Sequence, residues 1–378
     1  MMQETIRSIN ARNIVVPLEQ PLWIGGNTIQ KRDYCLVEIT TTMDRKGYSL
    51  GFSRGGDLSS AMIQEMAPHI MKCNIDDTEK IWEIMYNSQK LNGRQGFMMR
   101  ALSLLDIALW DLKAKKAGLP LHTMLGGYRE SIPLLMAGGY YADNKGLEQL
   151  CEEFTGYVEK GFKHLKLMVG GVSMEEDFER FVAVRKSLPD SISLGIDANG
   201  AWNDVKAVQR WIEKAEIATG GIAFVEEPLP PEQMEGISYL RNNLSMPIAV
   251  GEFLAGRWIF RQYISSGCID IVRADATLCG GITEWKRIAA LADSSNLSLF
   301  PHYFSSIHFH LGMAFPGCRM IEVVSTENRN SSFHLIAGTS YELRDGMAYP
   351  KHLPGLGLTL DDSFVESHTT KLVSTDSY

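Results

Sequence analysis

The stretch Ile192-Ser193-Leu194-Gly195-Ile196-Asp197-Ala198-Asn199 is a short apolar run that ends in a carboxylate. The same design returns in Phe224-Val225-Glu226-Glu227-Pro228 and in Val250-Gly251-Glu252. Apolar runs this short, spaced by helical patterns, read as buried parallel strands. Working outward from them gives eight runs: Ile132 to Ala137, His164 to Val169, Ile192 to Ile196, Ile222 to Val225, Pro247 to Val250, Ile269 to Val272, Leu297 to Phe300 and Arg319 to Val324. Amphipathic segments such as Met174 to Ser187 and Ala207 to Ala218 separate most of them. Eight strands alternating with helices fit a (β/α) barrel, with a doubly wound open sheet as the alternative. Charged residues at the carboxyl end of run after run favour the barrel, whose strand ends converge on one axis.

Upstream, Thr5 to Thr42 reads as an antiparallel meander broken by the turn-like Trp23-Ile24-Gly25-Gly26-Asn27. From Met62 to Leu125 the pattern turns helical, with Leu102, Leu105, Leu109 and Leu112 on one face and Gly118-Leu119-Pro120 as the stop. This β-then-α block is a first domain of the α+β type.

Composition narrows the function. The 378 residues carry 37 basic and 45 acidic side chains, a net charge of -8 that opposes binding to nucleic acid or anionic lipid. The six cysteines lie far apart without CxxC spacing, so neither a zinc site nor a disulfide scaffold is expected. With no signal-peptide pattern and no apolar run near the ~18 residues of a membrane span, a soluble cytoplasmic protein is expected, with no nucleic-acid or membrane partner.

If Asp197, Glu226 and Glu252 share a barrel mouth, their mutual repulsion calls for a divalent cation, and hard oxygen ligands favour Mg2+. Any one of them alone could instead cap the helix after its strand. Three in succession point to a shared metal site. Asp275 and His302 end the next two runs, and a carboxylate bonded to one ring nitrogen suits the other to act as a general base. Glu322 lies in the eighth run, across the ring from the metal side, and Lys166 in the second. Lys166 could hold a substrate carboxylate or serve as counter-ion to the acids; the substrate role is favoured. From Lys166 to Glu322 these seven residues are 20 to 31 positions apart, about one βα unit each. The chemistry implied is abstraction of a proton alpha to a carboxylate, with the metal steadying the enediolate.

These residues, with Ile107-Ala108-Leu109-Trp110-Asp111-Leu112-Lys113, Leu125-Gly126-Gly127 and Leu353-Pro354-Gly355-Leu356-Gly357, make the whole chain resemble the enolase superfamily, and within it the mandelate racemase subgroup. The resemblance implies an α/β fold, a modified (β/α)7β TIM-type barrel with an α+β capping domain. It divides the chain into a cap at 1–128, a barrel at 129–345 and a segment at 346–378 that returns to the cap. It implies Asp197, Glu226 and Glu252 as Mg2+ ligands, Asp275 and His302 as the dyad, and Glu322 as the acid that hydrogen-bonds the enediolate. It also implies a homo-oligomer.

One departure from the family pattern shapes the functional reading. The second barrel strand of the family usually ends in Lys-x-Lys, and here it reads Lys166-Leu167-Met168. A thioether takes no proton, so a racemisation that needs two opposed bases lacks one partner. His302 alone could remove the alpha proton and then, as imidazolium, help a beta hydroxyl leave in a syn elimination. The expected activity is therefore dehydration of an acid sugar to a 2-keto-3-deoxy acid. A racemase or epimerase, or a non-catalytic relative that binds sugar acids, are the alternatives. Tyr140 or Tyr141 could stand in for the missing lysine, and Asn199 could meet substrate hydroxyls. His164 is expected in the core. Specificity is expected from two cap loops, Trp23 to Thr28 and Gly51 to Asp57, where Trp23 lines the substrate and Arg54 could pair with a distal carboxylate. Cys279-Gly280-Gly281 superficially resembles a phosphate cradle and is read as a tight βα turn.

Overall fold

The computed structural model describes residues 3–24, 27–55, 57–143, 145–326 and 331–376. The Gly25-Gly26 turn and Gly56, parts of the two expected specificity loops, lie outside them.

Eight strands form the barrel: Ile132–Gly138, His164–Met168, Ser193–Asp197, Val225–Glu226, Ile248–Val250, Ile271–Val272, Ser298–Leu299 and Ile321–Val324. Parallel pairing runs unbroken from the first to the seventh, and the eighth pairs in parallel with the first. Leu299 bridges in parallel to Cys318, just before the eighth strand, and so closes the ring. One helix follows each of the first seven strands, from Leu147–Glu159 to Ser305–Ala314. Local chemistry starts these helices: Ser173 and Glu176 form a capping box, and the Asp204 side chain accepts from the amides of Lys206 and Ala207. His164, expected in the core, is only half-buried at the start of its strand.

The cap is an antiparallel sheet of Ile6–Ile24, Asn27–Thr41 and Lys46–Phe52, joined along its edge by Thr369–Asp376. The hairpin Tyr341–Arg344 and Met347–Pro350, unread in the sequence, pairs with the first barrel strand through Met347 and Ala348. No helix among the described residues is long and apolar enough to cross a membrane.

The helix Phe97–Ala117 joins the two layers. Leu102, Leu105, Leu109 and Leu112 bury one face in the cap core, as their spacing predicts. Its other face is buried as well, for Ile107, Trp110 and Ala114 belong to the barrel core. The polar residues on that second face are paired with the barrel. Asp106 accepts from the amide (2.9 Å) and hydroxyl (2.6 Å) of Thr283, Trp110 donates to the same hydroxyl at 2.9 Å, and Ser103 accepts from the Gly280 amide at 2.9 Å. Asp111 accepts from the amides of Tyr48 (2.8 Å) and Leu356 (2.7 Å), which ties two of the resemblance motifs together.

Two glycines make this approach possible. A Cβ on Gly281 would lie 2.3 Å from Asp106 Oδ2, and one on Gly355 would lie 2.1 Å from Asp111 Oδ1. Both also hold positive φ, +81° and +71°. The Gly280-Gly281 pair is thus the tight turn expected, filled by the cap helix and open to no phosphate.

Burial raises the Asp106 carboxyl to about 7 against the hydrogen bonds from Thr283. The folded state therefore keeps its proton to about pH 7, whereas an unfolded aspartate releases it near 3.8. More protons are bound in the folded state across that window, so this group's contribution to stability falls as pH rises from about 4 to 7. At roughly 1.4 kcal/mol per pKa unit the loss is about 4 kcal/mol. We expect Asp106→Asn to flatten the decline of Tm between pH 5 and 8, measured by calorimetry against the parent chain; parallel declines would show that Asp106 does not titrate there.

Candidate active site

The functional side chains leave the barrel where the backbone turns sharply. Asn199, Glu227 and Tyr303 take φ of +47°, +39° and +55°, within two residues beyond Asp197, Glu226 and His302, and Gly251 at +144° precedes Glu252. Left-handed backbone at non-glycine positions is uncommon and clusters at functional sites.

Asp197, Glu226 and Glu252 are all buried, and one carboxylate oxygen from each lies within 4.8 Å of the others. Lys166 is fully buried beneath them. Its Nζ lies 2.9 Å from Asp197 Oδ2, 2.8 Å from Glu226 Oε2 and 3.0 Å from Glu322 Oε2. This is the counter-ion arrangement. Neighbouring strands place its ammonium among three acids, and Lys166 is not among the residues that line the cavity above them. Glu322, expected across the ring from the metal side, is joined to that side through the same lysine.

Arg273 completes the network and went unread as a site residue in the sequence. Its Nε donates to Glu226 at 2.7 Å, one Nη donates to the Phe300 carbonyl at 2.6 Å, and the other contacts Glu322. A signal existed, since Arg273 sits two residues before Asp275, but only strand register reveals its partners. Glu227 was also passed over. It accepts from the amides of Gly251 (2.7 Å) and Glu252 (3.2 Å), holding the turn that presents Glu252.

The carboxyls respond unequally to this charge. Burial pushes Glu226 up, yet Arg273 and Lys166 outweigh it and hold the group below its ordinary value. Glu252 touches neither cation, and burial with repulsion from Asp197 and Glu226 drives it well above. Asp197 is raised too, by burial and by Glu226. A buried all-oxygen donor set short of positive charge on one side fits a hard divalent cation, which would be held by Asp197, Glu226 and Glu252.

His302 stands beside this triad. Its Nδ1 lies 3.0 Å from Asp275 Oδ2 and its Nε2 lies 3.1 Å from Glu252 Oε2. The amide and hydroxyl of Thr277, at 2.7 and 2.8 Å, fix Asp275 from behind. Burial opposes ionisation of Asp275, but the hydrogen bond from His302 and the nearby His308 and His302 rings hold it down to about 2. Burial lowers His302 to about 4 despite Asp275, so the ring is neutral at pH 7. With Nδ1–H donated to Asp275, the lone pair is on Nε2, on the side of Glu252.

A cavity of about 470 Å³ opens above these groups, lined by Asp197, Asn199, Glu252, Asp275, His302 and Glu322 from the barrel, and it also takes in Tyr140, Met168 and Arg54. Asn199 donates from its side chain to Glu252 at 3.4 Å. Tyr140 is buried, and burial holds its phenol above the ordinary range, so it can donate a hydrogen bond but not act as a base. Tyr141 is engaged elsewhere, donating to Asp177 and accepting from the Gly171 amide. Trp23 packs against the small cluster of Leu22, Tyr140 and Met168, and its neighbours Ile24 and Asn27 reach the cavity in its place. Two further cap arginines, Arg32 and Arg100, line the wall unforeseen.

A capped barrel with an acidic triad and a His–Asp pair on successive strand ends defines a metal-assisted acid–base enzyme. The chain belongs to the mandelate racemase/muconate lactonizing enzyme family: residues 7–126 match its N-terminal domain and residues 149–364 match the enolase C-terminal domain-like family. It is 31% identical over 361 residues to arabinonate dehydratase of Saccharolobus solfataricus, covering 93% of this chain and 94% of that one. It is 33% identical over 329 residues to L-talarate/galactarate dehydratase of Salmonella typhimurium, covering 86% and 80%. A crystal structure of an L-talarate/galactarate dehydratase variant with Mg and L-glucarate superposes with a TM-score of 0.90 at 29% identity, covering 100% of this chain and 94% of the other.

If the triad holds magnesium, the ion stabilises the folded state by mass action, by about 2.7 kcal/mol at a hundred times its Kd. We expect magnesium to raise Tm and EDTA to reverse the rise, with the magnesium-dependent increment absent in Asp197→Asn. An equal increment in that variant would place the ion elsewhere.

Proposed function

We propose that the chain dehydrates an acid sugar to a 2-keto-3-deoxy acid, with Asp197, Glu226 and Glu252 holding Mg2+. The observation that carries this reading is the placement of His302, backed by Asp275, on one cavity with Asp197 and Glu252 of the acidic triad while Met168 takes the position of a second base. The dehydratases among its relatives support it.

Bound magnesium supplies Lewis-acid stabilisation of charge building on the substrate carboxylate. His302 Nε2 takes the proton from the alpha carbon, and the C–H electron pair moves toward the carboxylate to give the enediolate. Asp275 stabilises the imidazolium that forms and keeps the ring aimed. Glu322, held by Lys166 and Arg273 at the cavity wall, is placed to hydrogen-bond an enediolate oxygen. The imidazolium then gives its proton to the departing beta hydroxyl, which leaves as water as the electron pair forms the C2–C3 double bond. The resulting enol tautomerises to the 2-keto-3-deoxy acid. One residue serving as base and then acid makes the elimination syn.

Met168 and Tyr140 shape the opposite face. Neither removes a proton at neutral pH, so epimerisation is not part of the reading. Assembly as a homo-oligomer in the cytoplasm, and the division at 1–128, 129–345 and 346–378, belong to the same proposal. The pairing of Thr369–Asp376 with the cap sheet supports a returning carboxyl-terminal segment.

The test is a screen of acid sugars with magnesium, detecting 2-keto acids. We expect turnover by the parent chain, a loss of 10²–10⁴-fold in His302→Asn, and no epimer in substrate recovered from deuterated water. Undiminished dehydration by His302→Asn would remove it from the role of base, and an epimer without keto product would replace dehydratase by epimerase.

A further inference from the structure

The cavity has two chemically opposite walls. Its barrel side carries Asp197, Glu252, Asp275 and Glu322, whereas its cap side carries Arg32, Arg54 and Arg100 and, among the described lining residues, no acid. These arginines come from three separate cap segments: the strand Asn27–Thr41, the loop after Lys46–Phe52, and the helix Phe97–Ala117. The Arg54 and Arg32 guanidinium groups lie 4.7 and 5.6 Å from the centre of the Phe52 ring. Tyr303 packs on the same ring at 5.0 Å, is 8% exposed, and its buried hydroxyl has no hydrogen-bond partner among the described residues.

The arginines could be counter-ions for the acidic floor, but the charge count argues otherwise. Asp197, Glu226, Glu252 and Glu322 contribute four negative charges, and Lys166 and Arg273 contribute two positive ones. The remaining -2 is the charge one divalent cation offsets. Asp275, ionised beside a neutral His302, adds one further negative charge, against three arginines on the cap wall. Neither the Arg54 nor the Arg100 guanidinium forms an ion pair or hydrogen bond among the described residues. Burial, reinforced by repulsion from Arg54, pushes the Arg100 guanidinium down to about 10. Crowded, partly desolvated cations facing a cavity are stabilised when an anion enters, and a planar guanidinium matches a carboxylate in two parallel hydrogen bonds.

We infer that Arg54 and Arg100, beside Arg32 and with the Tyr303 hydroxyl, form a second carboxylate subsite, so that the substrate class is the diacid sugars and not the monoacid sugars. One carboxylate of such a molecule lies at the acidic floor, where the metal is held, and the other lies under the cap. The reaction at the first end rests on the dehydratase reading above; the subsite at the second end is a binding property and can be measured alone.

The experiment pairs each hexaric acid with the hexonic acid of matching configuration, and includes 6-phosphogluconate as a phosphate-ended probe. Turnover with magnesium is read as the diacid-over-monoacid ratio of kcat/KM. A site built to pair a polar group rejects the analogue that lacks it by large factors, and we expect a ratio of at least about 100 in the parent chain. It falls below about 5 in Arg54→Met/Arg100→Met and by a smaller factor in Tyr303→Phe, with circular dichroism confirming that both fold. In parallel, calorimetric titration of the same acids into His302→Asn with magnesium reads binding without turnover. Tighter binding of a diacid, lost when Arg54→Met and Arg100→Met are added, supports the subsite even if no acid is dehydrated, in which case the dehydratase reading alone fails. Equal affinity for each diacid and its monoacid overturns the subsite, a ratio untouched by the arginine changes removes these residues from it, and preference for 6-phosphogluconate overturns the assignment to carboxylate.

Discussion

The Lys166 ammonium, buried without exposure among Asp197, Glu226 and Glu322, is the contact on which the rest of the site depends. Removing ions from water costs several kcal/mol each, so carboxylates survive at a dry barrel mouth only when their lone pairs are filled. Burial alone would pull the lysine toward its neutral form, but Asp197 and Glu226 hold it above its ordinary value. Arg273 supplies the second cation, shared between Glu226 and Glu322. This balance requires the second, third, fourth, sixth and eighth strands to keep one register, because a slip by one residue turns an inward charge outward. The parallel pairs Lys166–Gly195 and Asp197–Glu226 are that register. It leaves Glu252 without a cation in contact, and that asymmetry opens the site to a metal.

The cap completes the cavity through the same helix that locks the two layers together. Phe97–Ala117 docks on the barrel through Ser103, Asp106 and Trp110, is tied by Asp111 to Leu356 of the carboxyl-terminal segment, and carries Arg100 at its first turn. The strand Lys46–Phe52 is fastened to that helix, with Ser49 donating to the Leu104 carbonyl at 2.6 Å, and the strand ends in the Phe52 platform beside Arg54. The side chains that face the cavity from above are therefore carried on backbone whose position is set by buried polar bonds. Preorganisation of this kind lets a charged wall bind without first being ordered.

Much of this was legible before any coordinates. The barrel and the clustering of the acidic triad were readable because each βα unit contributes one strand, and each of these strands places its charged residue at its carboxyl end, so Asp197, Glu226, Glu252, Asp275 and His302 recur at nearly regular spacing. What resisted reading depends on neighbours across strands. That Lys166 lies among three acids could not be read from its sequence neighbours. Arg273 carries no local mark that separates it from a surface arginine. The leucine spacing in Phe97–Ala117 showed one apolar face, while the second face is built from Asp106, Asp111 and Ser103, polar residues that burial alone makes structural. Trp23 lies at the end of a strand and Arg54 in the loop after another, yet only Arg54 reaches the cavity, and nothing in the local sequence pattern separates the two.

The division of labour follows from these constraints. The barrel floor is a closed electrostatic system in which removing one charge leaves another buried and unpaired, a change that costs several kcal/mol. The reaction it performs is correspondingly hard to alter without loss of the fold. The one departure there, Met168 on the second strand, is apolar, packs with Tyr140 and Leu22, and leaves the charge balance as it stands. The cap wall is different: Arg54 and Arg100 are tied into no such network and can be exchanged without orphaning a partner. The charges of the barrel floor are therefore fixed by mutual dependence, whereas those of the cap wall are free to vary.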